Sequence, residues 1–196
     1  MGALLVAGAF LIPEVVLYFN NKLFRGNRAS KTSCNALAAY NSVNFEPLGA
    51  FGVTFDVRWD LINQYPNGLF KLSKNMEENI SYLVCSPCFN IKTLELCLKN
   101  SKAVIISGYG MGNIPTSNTQ LMKVIKEAVD SGVIVCIKTQ CAHGAVNDVY
   151  ETGRMLTKMG CILTADMTVE CIFAKLMYLL GKVSRNRVLT FTGLFH

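Results

Sequence analysis

The stretch AVIISGYGMGNIPTSNTQLMKVIKEAVDSGVIVCIKTQC, residues 103–141, decides the fold. It opens on a short run rich in β-branched residues, AVIIS (103–107), and passes a glycine turn. A segment from about Ser117 to Asp130 then repeats apolar residues at Leu121, Val124, Ile125, Ala128 and Val129. That spacing keeps one face of a helix apolar. Gly132 ends the helix, and a second such run, VIVCI (133–137), follows. Two continuous apolar runs joined by an amphipathic helix are the pattern of parallel strands buried on both faces.

The same alternation extends both ways. ISYLVC (80–85) reads as a strand and 90–99 as a helix. Residues 148–159 read as a helix stopped by Gly160, CILT (161–164) as a short strand, and Met167 to Leu180 as a strongly apolar helix. Right-handed crossovers wind such elements into a three-layer sandwich. The expectation is a small doubly wound, flavodoxin-like α/β domain whose ligands sit at the carboxyl ends of its strands. Chemistry is therefore sought in the loops after 107, 137 and 164.

Upstream the pattern is weaker. EVVLYF (14–19) reads as a strand before the polar loop NNKLFRGNRASKTS. Residues 32–78 show turn signals at Pro47, Gly49, Gly52 and Pro66-Asn67-Gly68. The polar, irregular composition of 60–78 marks a domain boundary. MGALLVAGAFLI (1–12) lacks the basic start of a secretory leader and reads as a buried helix end.

Composition narrows the function classes. Of the 196 residues 51% are hydrophobic and 16% charged, enough for a packed core and too apolar for global disorder. The net charge of +6 is scattered and not interleaved with aromatics, which argues against nucleic acid. No apolar run has the length of a membrane span. Eight cysteines, several inside apolar patterns, suggest free thiols in a reducing, cytoplasmic compartment. Cys85-Ser-Pro-Cys88 has no second CxxC and no spaced histidine pair, so no metal or other cofactor is expected.

Three loops and one basic turn carry candidate chemistry. Ser107-Gly108-Tyr109-Gly110-Met111-Gly112-Asn113 offers glycines that let backbone amides approach an anion, but it fails as GxGxxG because Asn113 stands where glycine is needed. A tight βα turn fits it equally well. Cys141 and His143 invite a thiol-nucleophile reading, although neighbours on an extended loop rarely pair. Asp166 reads as a helix N-cap. In Arg25-Gly26-Asn27-Arg28-Ala29-Ser30-Lys31 the like charge of Arg28 beside Lys31 suits a catalytic amine.

Taken together, PEVVLYFNNKLFRGNRASK (13–31), SVNFEPLG (42–49), YGMGNIPTSN (109–118), TQCAHGAVNDVYETG (139–153) and ADMTVECIFAKLMYLL (165–180) resemble the bacterial-type L-asparaginases, most closely the cytosolic type I branch. The resemblance implies hydrolysis of L-asparagine to aspartate and ammonia in a homo-oligomer, dimer or tetramer, without a cofactor, a membrane or nucleic acid as partner. It divides the chain into 1–60, the last part of a larger α/β N-terminal domain, a linker at 61–78, the C-terminal domain at 79–182 and a divergent tail at 183–196.

Residue roles follow from the same resemblance. Lys31 matches the catalytic lysine, and Asn113 matches an asparagine that reaches the substrate of a neighbouring subunit. Ser30 and Cys141 match positions of a regulatory asparagine site, whose arginine position is Ser107 here. The TGGT-like and HGTDT-like segments that carry the family's threonines do not occur in these residues. The resemblance therefore implies a C-terminal portion that is inactive alone. The alternative is a non-catalytic short product that binds or regulates a full-length enzyme through the oligomer interface.

Overall fold

The structure, a computed structural model, describes residues 1–69 and 71–182, and the expected divergent tail at 183–196 lies outside them. The chain forms two compact units, Met1–Leu72 and another from Ser73 onward.

The first unit begins with helix α1 (Gly2–Ala9) and continues through strands β1 (Val16–Phe19) and β2 (Lys22–Arg25). A 3-10 turn at Gly26–Arg28 leads into β3 (Ser30–Lys31), followed by β4 (Tyr40–Asn41), β5 (Gly49–Phe51) and β6 (Phe55–Val57). β1, β2, β5 and β6 form one antiparallel sheet in that order, and β3 and β4 form a separate ribbon. The β1–β2 hairpin turns on Asn20 and Asn21, at φ 45° and 59°. Asparagine tolerates this left-handed backbone, and a two-residue loop between right-twisted strands requires it.

Two sequence expectations change here. Residues 1–12 contain the expected helix, but within α1 only Val6 is buried, beside Leu23 and Leu48; Leu4 and Leu5 are 78% and 58% exposed. A helix apolar on every side has no preferred face, and one side alone meets this sheet. Gly49, read as a turn signal, lies inside β5. A Cβ there would stand 2.8 Å from the Asp56 carbonyl oxygen and from the Phe55 ring, so close strand pairing accounts for the glycine.

The second unit holds β7 (Ile80–Val84), α2 (Ile91–Asn100), β8 (Ala103–Gly108), α3 (Thr119–Asp130), β9 (Ile134–Thr139), α4 (Glu151–Lys158), β10 (Ile162–Leu163) and α5 (Val169–Lys182). The strands are all parallel and ordered β10-β9-β8-β7. Period-two alternation gives each central strand two apolar faces. Val104, Ile106, Val135 and Ile137 pack with Leu94 and Leu98 of α2, Leu121 and Ile125 of α3 and Leu156 of α4. Ala103, Ile105, Ile134 and Cys136 face the other way, onto Ile172, Leu176 and Leu180 of α5. The three-layer α/β sandwich expected from the sequence is thus present, with three helices on one face and one on the other.

Helix starts follow local chemistry. Asn90 Oδ1 accepts from the Lys92 amide at 2.9 Å, and Asn118 Oδ1 from the Leu121 amide at 3.1 Å. At α5 the correction is to Asp166: the cap is Thr168, whose Oγ1 accepts from the Cys171 amide at 3.1 Å.

Candidate active site

The first candidate group is the β3–β4 ribbon. Its register sets Ser30 opposite Asn41 and Lys31 opposite Tyr40. Lys31 is exposed and Ser30 half-buried. The Lys31 ammonium lies 5.5 Å from the centroid of the Tyr40 ring, within reach of a cation–π contact. Tyr40 in turn packs on Phe19 of β1, ring centroids 5.0 Å apart. Arg28, the like charge invoked in reading the sequence, is directed elsewhere. Its guanidinium sits 5.2 Å from the Phe45 ring centroid, and its Nη2 donates to the Asn44 carbonyl at 3.2 Å. Lys31 and Arg28 thus rest on different aromatic rings.

The second group lies at the carboxyl edge of the parallel sheet. After β8 the chain closes on itself: the Tyr109 amide donates to the Asn113 carbonyl at 2.8 Å, and the Asn113 and Gly112 amides donate back to the Tyr109 carbonyl at 2.7 and 2.9 Å. Those amides are consumed within the turn, so the anion-cradle reading of the glycines gives way to a tight βα turn. Gly112 has φ +90°, and a Cβ on it would meet Val146 Cγ1 at 2.7 Å. The turn presents the Asn113 side chain to solvent.

The loop after β9 is sewn to this turn. Thr139 Oγ1 donates to the Gly110 carbonyl and accepts from the Cys141 amide at 2.9 Å. Gln140 donates its backbone amide to the Gly108 carbonyl at 2.9 Å and its side-chain amide to the carbonyls of Cys85 at 2.8 Å and Ser107 at 3.0 Å. Asn113 and Cys141 therefore stand on two tied loops of one sheet edge. Cys141 and His143 are both exposed, and among the described residues no hydrogen bond joins them, so the thiol–imidazole pair is not formed.

Lys138 was missed as a candidate when the sequence was read. It pairs in register with Ser107, and strand alternation turns both toward α5. Ser107 is buried, and its Oγ has no partner among the described residues. Lys138 is half-buried, and its Nζ donates to the Thr139 carbonyl at 2.6 Å. Burial lowers its pKa, opposed by the carboxylate charge of Glu170. The available signal was a lysine closing an otherwise apolar strand, VIVCIK.

Residues 1–63 match the family described as Asparaginase, N-terminal, and residues 79–189 match the Glutaminase/Asparaginase C-terminal domain. The chain belongs to the asparaginase family. It is 36% identical over 184 residues to an L-asparaginase of Dirofilaria immitis and 35% identical over 185 residues to a human 60 kDa lysophospholipase. Each comparison covers 93% of this chain but only 31% and 32% of the relative. The crystal structure of L-asparaginase I from Vibrio cholerae superposes with a TM-score of 0.90 at 35% identity, over 97% of this chain and 58% of that one. The chain thus spans from just under a third to somewhat over half of these relatives. The four site positions named by resemblance divide between the units, Ser30 and Lys31 in the first, Asn113 and Cys141 in the second.

Proposed function

We propose that these residues are the C-terminal portion of an L-asparaginase, an amidohydrolase that converts L-asparagine and water to L-aspartate and ammonia. The match to both family domains in the family's order carries the reading. In it Lys31 is the catalytic lysine. An exposed ammonium on a short ribbon suits a group that holds a threonine–aspartate pair in proton-transfer register from outside its own hairpin. Asn113 serves a neighbouring subunit of a homo-oligomer, dimer or tetramer. Its carboxamide can accept from an ammonium and donate to a carboxylate, and its exposure at the tip of a rigid turn supports that role.

Ser30 and Cys141 are assigned, each within its own unit, to the regulatory position that the resemblance gives them. Ser107 offers no guanidinium there, which weakens carboxylate binding, while Lys138 supplies a cation on the adjacent strand. We retain the domain limits 1–60, 61–78 and 79–182. Cytoplasmic residence is supported by eight cysteines that are all free; no helix of the described residues is long and apolar enough to cross a membrane.

The reading entails that the 196 residues release no ammonia alone, because the TGGT-like and HGTDT-like segments that carry the family's threonines do not occur in them. Ammonia release from L-asparagine by the purified chain, beside the D. immitis enzyme as control, tests this. Background rates are expected, and activity comparable to the control contradicts the reading. The second reading, a non-catalytic regulator, is favoured if the chain co-purifies at 21.6 kDa with a longer homologue and alters that partner's rate.

A further inference from the structure

Lys31 belongs to a two-residue strand, and an unanchored lysine side chain samples many rotamers. A group that must hold a proton-transfer pair in register cannot act from a diffuse position, since small misplacements are costly in rate. The structure supplies an anchor. The ribbon register sets Tyr40 directly across from Lys31, with the ammonium 5.5 Å from the ring centroid. The ring is itself held by packing: Phe19 lies against it with ring centroids 5.0 Å apart and planes tilted by 53°, and Phe19 belongs to β1, a strand of the unit's main sheet. The amides of Thr32 and Ser33 both donate to the Ala39 carbonyl, at 2.8 and 3.2 Å, and close the ribbon between the two partners. A line of contacts thus runs from the sheet through two aromatic rings to one ammonium.

We propose that Tyr40 is the positioning residue of Lys31: its ring, packed against Phe19, holds the ammonium in place for proton transfer. This rests on the assignment of Lys31 as the catalytic lysine. The face of the ring carries the interaction, so phenylalanine serves as well as tyrosine and leucine does not.

The test begins on the unmodified chain with isotopically labelled lysine. The ε-methylene signals of Lys31, assigned by their loss in Lys31→Arg, are expected upfield of those of the other exposed lysines, with cross-relaxation to the Tyr40 ring protons. Tyr40→Phe keeps the displacement and Tyr40→Leu abolishes it. An unshifted Lys31 in the unmodified chain overturns the proposal and needs no variant that risks unfolding. A second arm uses the ammonia-releasing assembly that contains this chain. There Tyr40→Leu is expected to lower kcat at least tenfold with little change in KM, and Tyr40→Phe to restore it. Unchanged kcat in Tyr40→Leu overturns the positioning role. Full activity in Lys31→Met, with the ring shift intact, instead overturns the catalytic assignment.

Discussion

Glu14 and Arg25 form a part-buried ion pair in the first unit. Arg25 Nε approaches Glu14 Oε2 at 2.5 Å, with side-chain exposures of 16% and 5%. The Asn63 amide donates to Glu14 Oε1 at 2.7 Å, and Arg25 Nη2 donates to the Leu61 carbonyl at 2.6 Å. Burial pushes the Glu14 pKa up, but the hydrogen bonds from Arg25 and the Asn63 amide outweigh it and leave the carboxyl below its usual 4.5. A folded pKa below the unfolded one stabilises above the unfolded value and is lost as pH falls through the folded one. The Glu14 contribution is therefore intact at neutral pH and disappears below about 4.5. Arg25→Leu leaves the part-buried carboxylate without its partner and is expected to cost about 1–3 kcal/mol in urea unfolding at pH 7, with the gap from the parent chain closing in acid. A gap that stays constant with pH contradicts this account.

At the scale of elements, legibility followed apolar continuity more than strand length: the two-residue β10 was read within CILT, whereas the four-residue β2 lies in the stretch read as a polar loop. AVIIS and VIVCI announce β8 and β9 because both faces of each strand are buried, which leaves a continuous apolar run. β3 to β6 are two or three residues long, too short for any periodicity, and their pairing is set by contacts such as Gly49 against Asp56. The site shows the same division. Lys31, Ser30, Asn113 and Cys141 were named through motifs. Tyr40 beneath Lys31 and Ser107 beside Lys138 arise from strand register, which single-sequence pattern does not disclose. The glycine turn could be read as a cradle or as a turn, and only the hydrogen bonds of Tyr109, Gly112 and Asn113 decide between them. Because Gly112 combines φ +90° with close approach to Val146, Gly112→Ala is expected to cost about 1–3 kcal/mol. The same change should shift the Asn113 backbone signals more than those of α3. An alanine variant as stable as the parent removes the argument that this turn is rigid.

At the scale of the whole molecule, each end of the connecting segment is tied to its own unit. On the first, the Tyr65 hydroxyl donates to the Leu11 carbonyl at 3.2 Å beyond the Asn63 and Leu61 bonds. On the second, the Glu77 amide donates to the Met177 carbonyl at 2.9 Å, Glu77 pairs with Lys102, and Gly181 leaves room for the backbone of Asn75. Trypsin is therefore expected to cut first at Lys71 or Lys74, both exposed. The piece from Ser73 onward, with both sheet faces covered, should outlast the first, whose α1 leaves Leu4 and Leu5 in solvent. First cleavage within β8, α3 or β9 contradicts that order.

The most direct test of the central claim is ammonia release from L-asparagine by the native protein, captured from its own source with an antibody to residues 115–130. The account predicts activity in a species larger than 21.6 kDa, reduced on the order of 10²–10⁴-fold by Lys31→Met. Ammonia release that survives Lys31→Met undiminished, or that the 196 residues sustain alone, contradicts it.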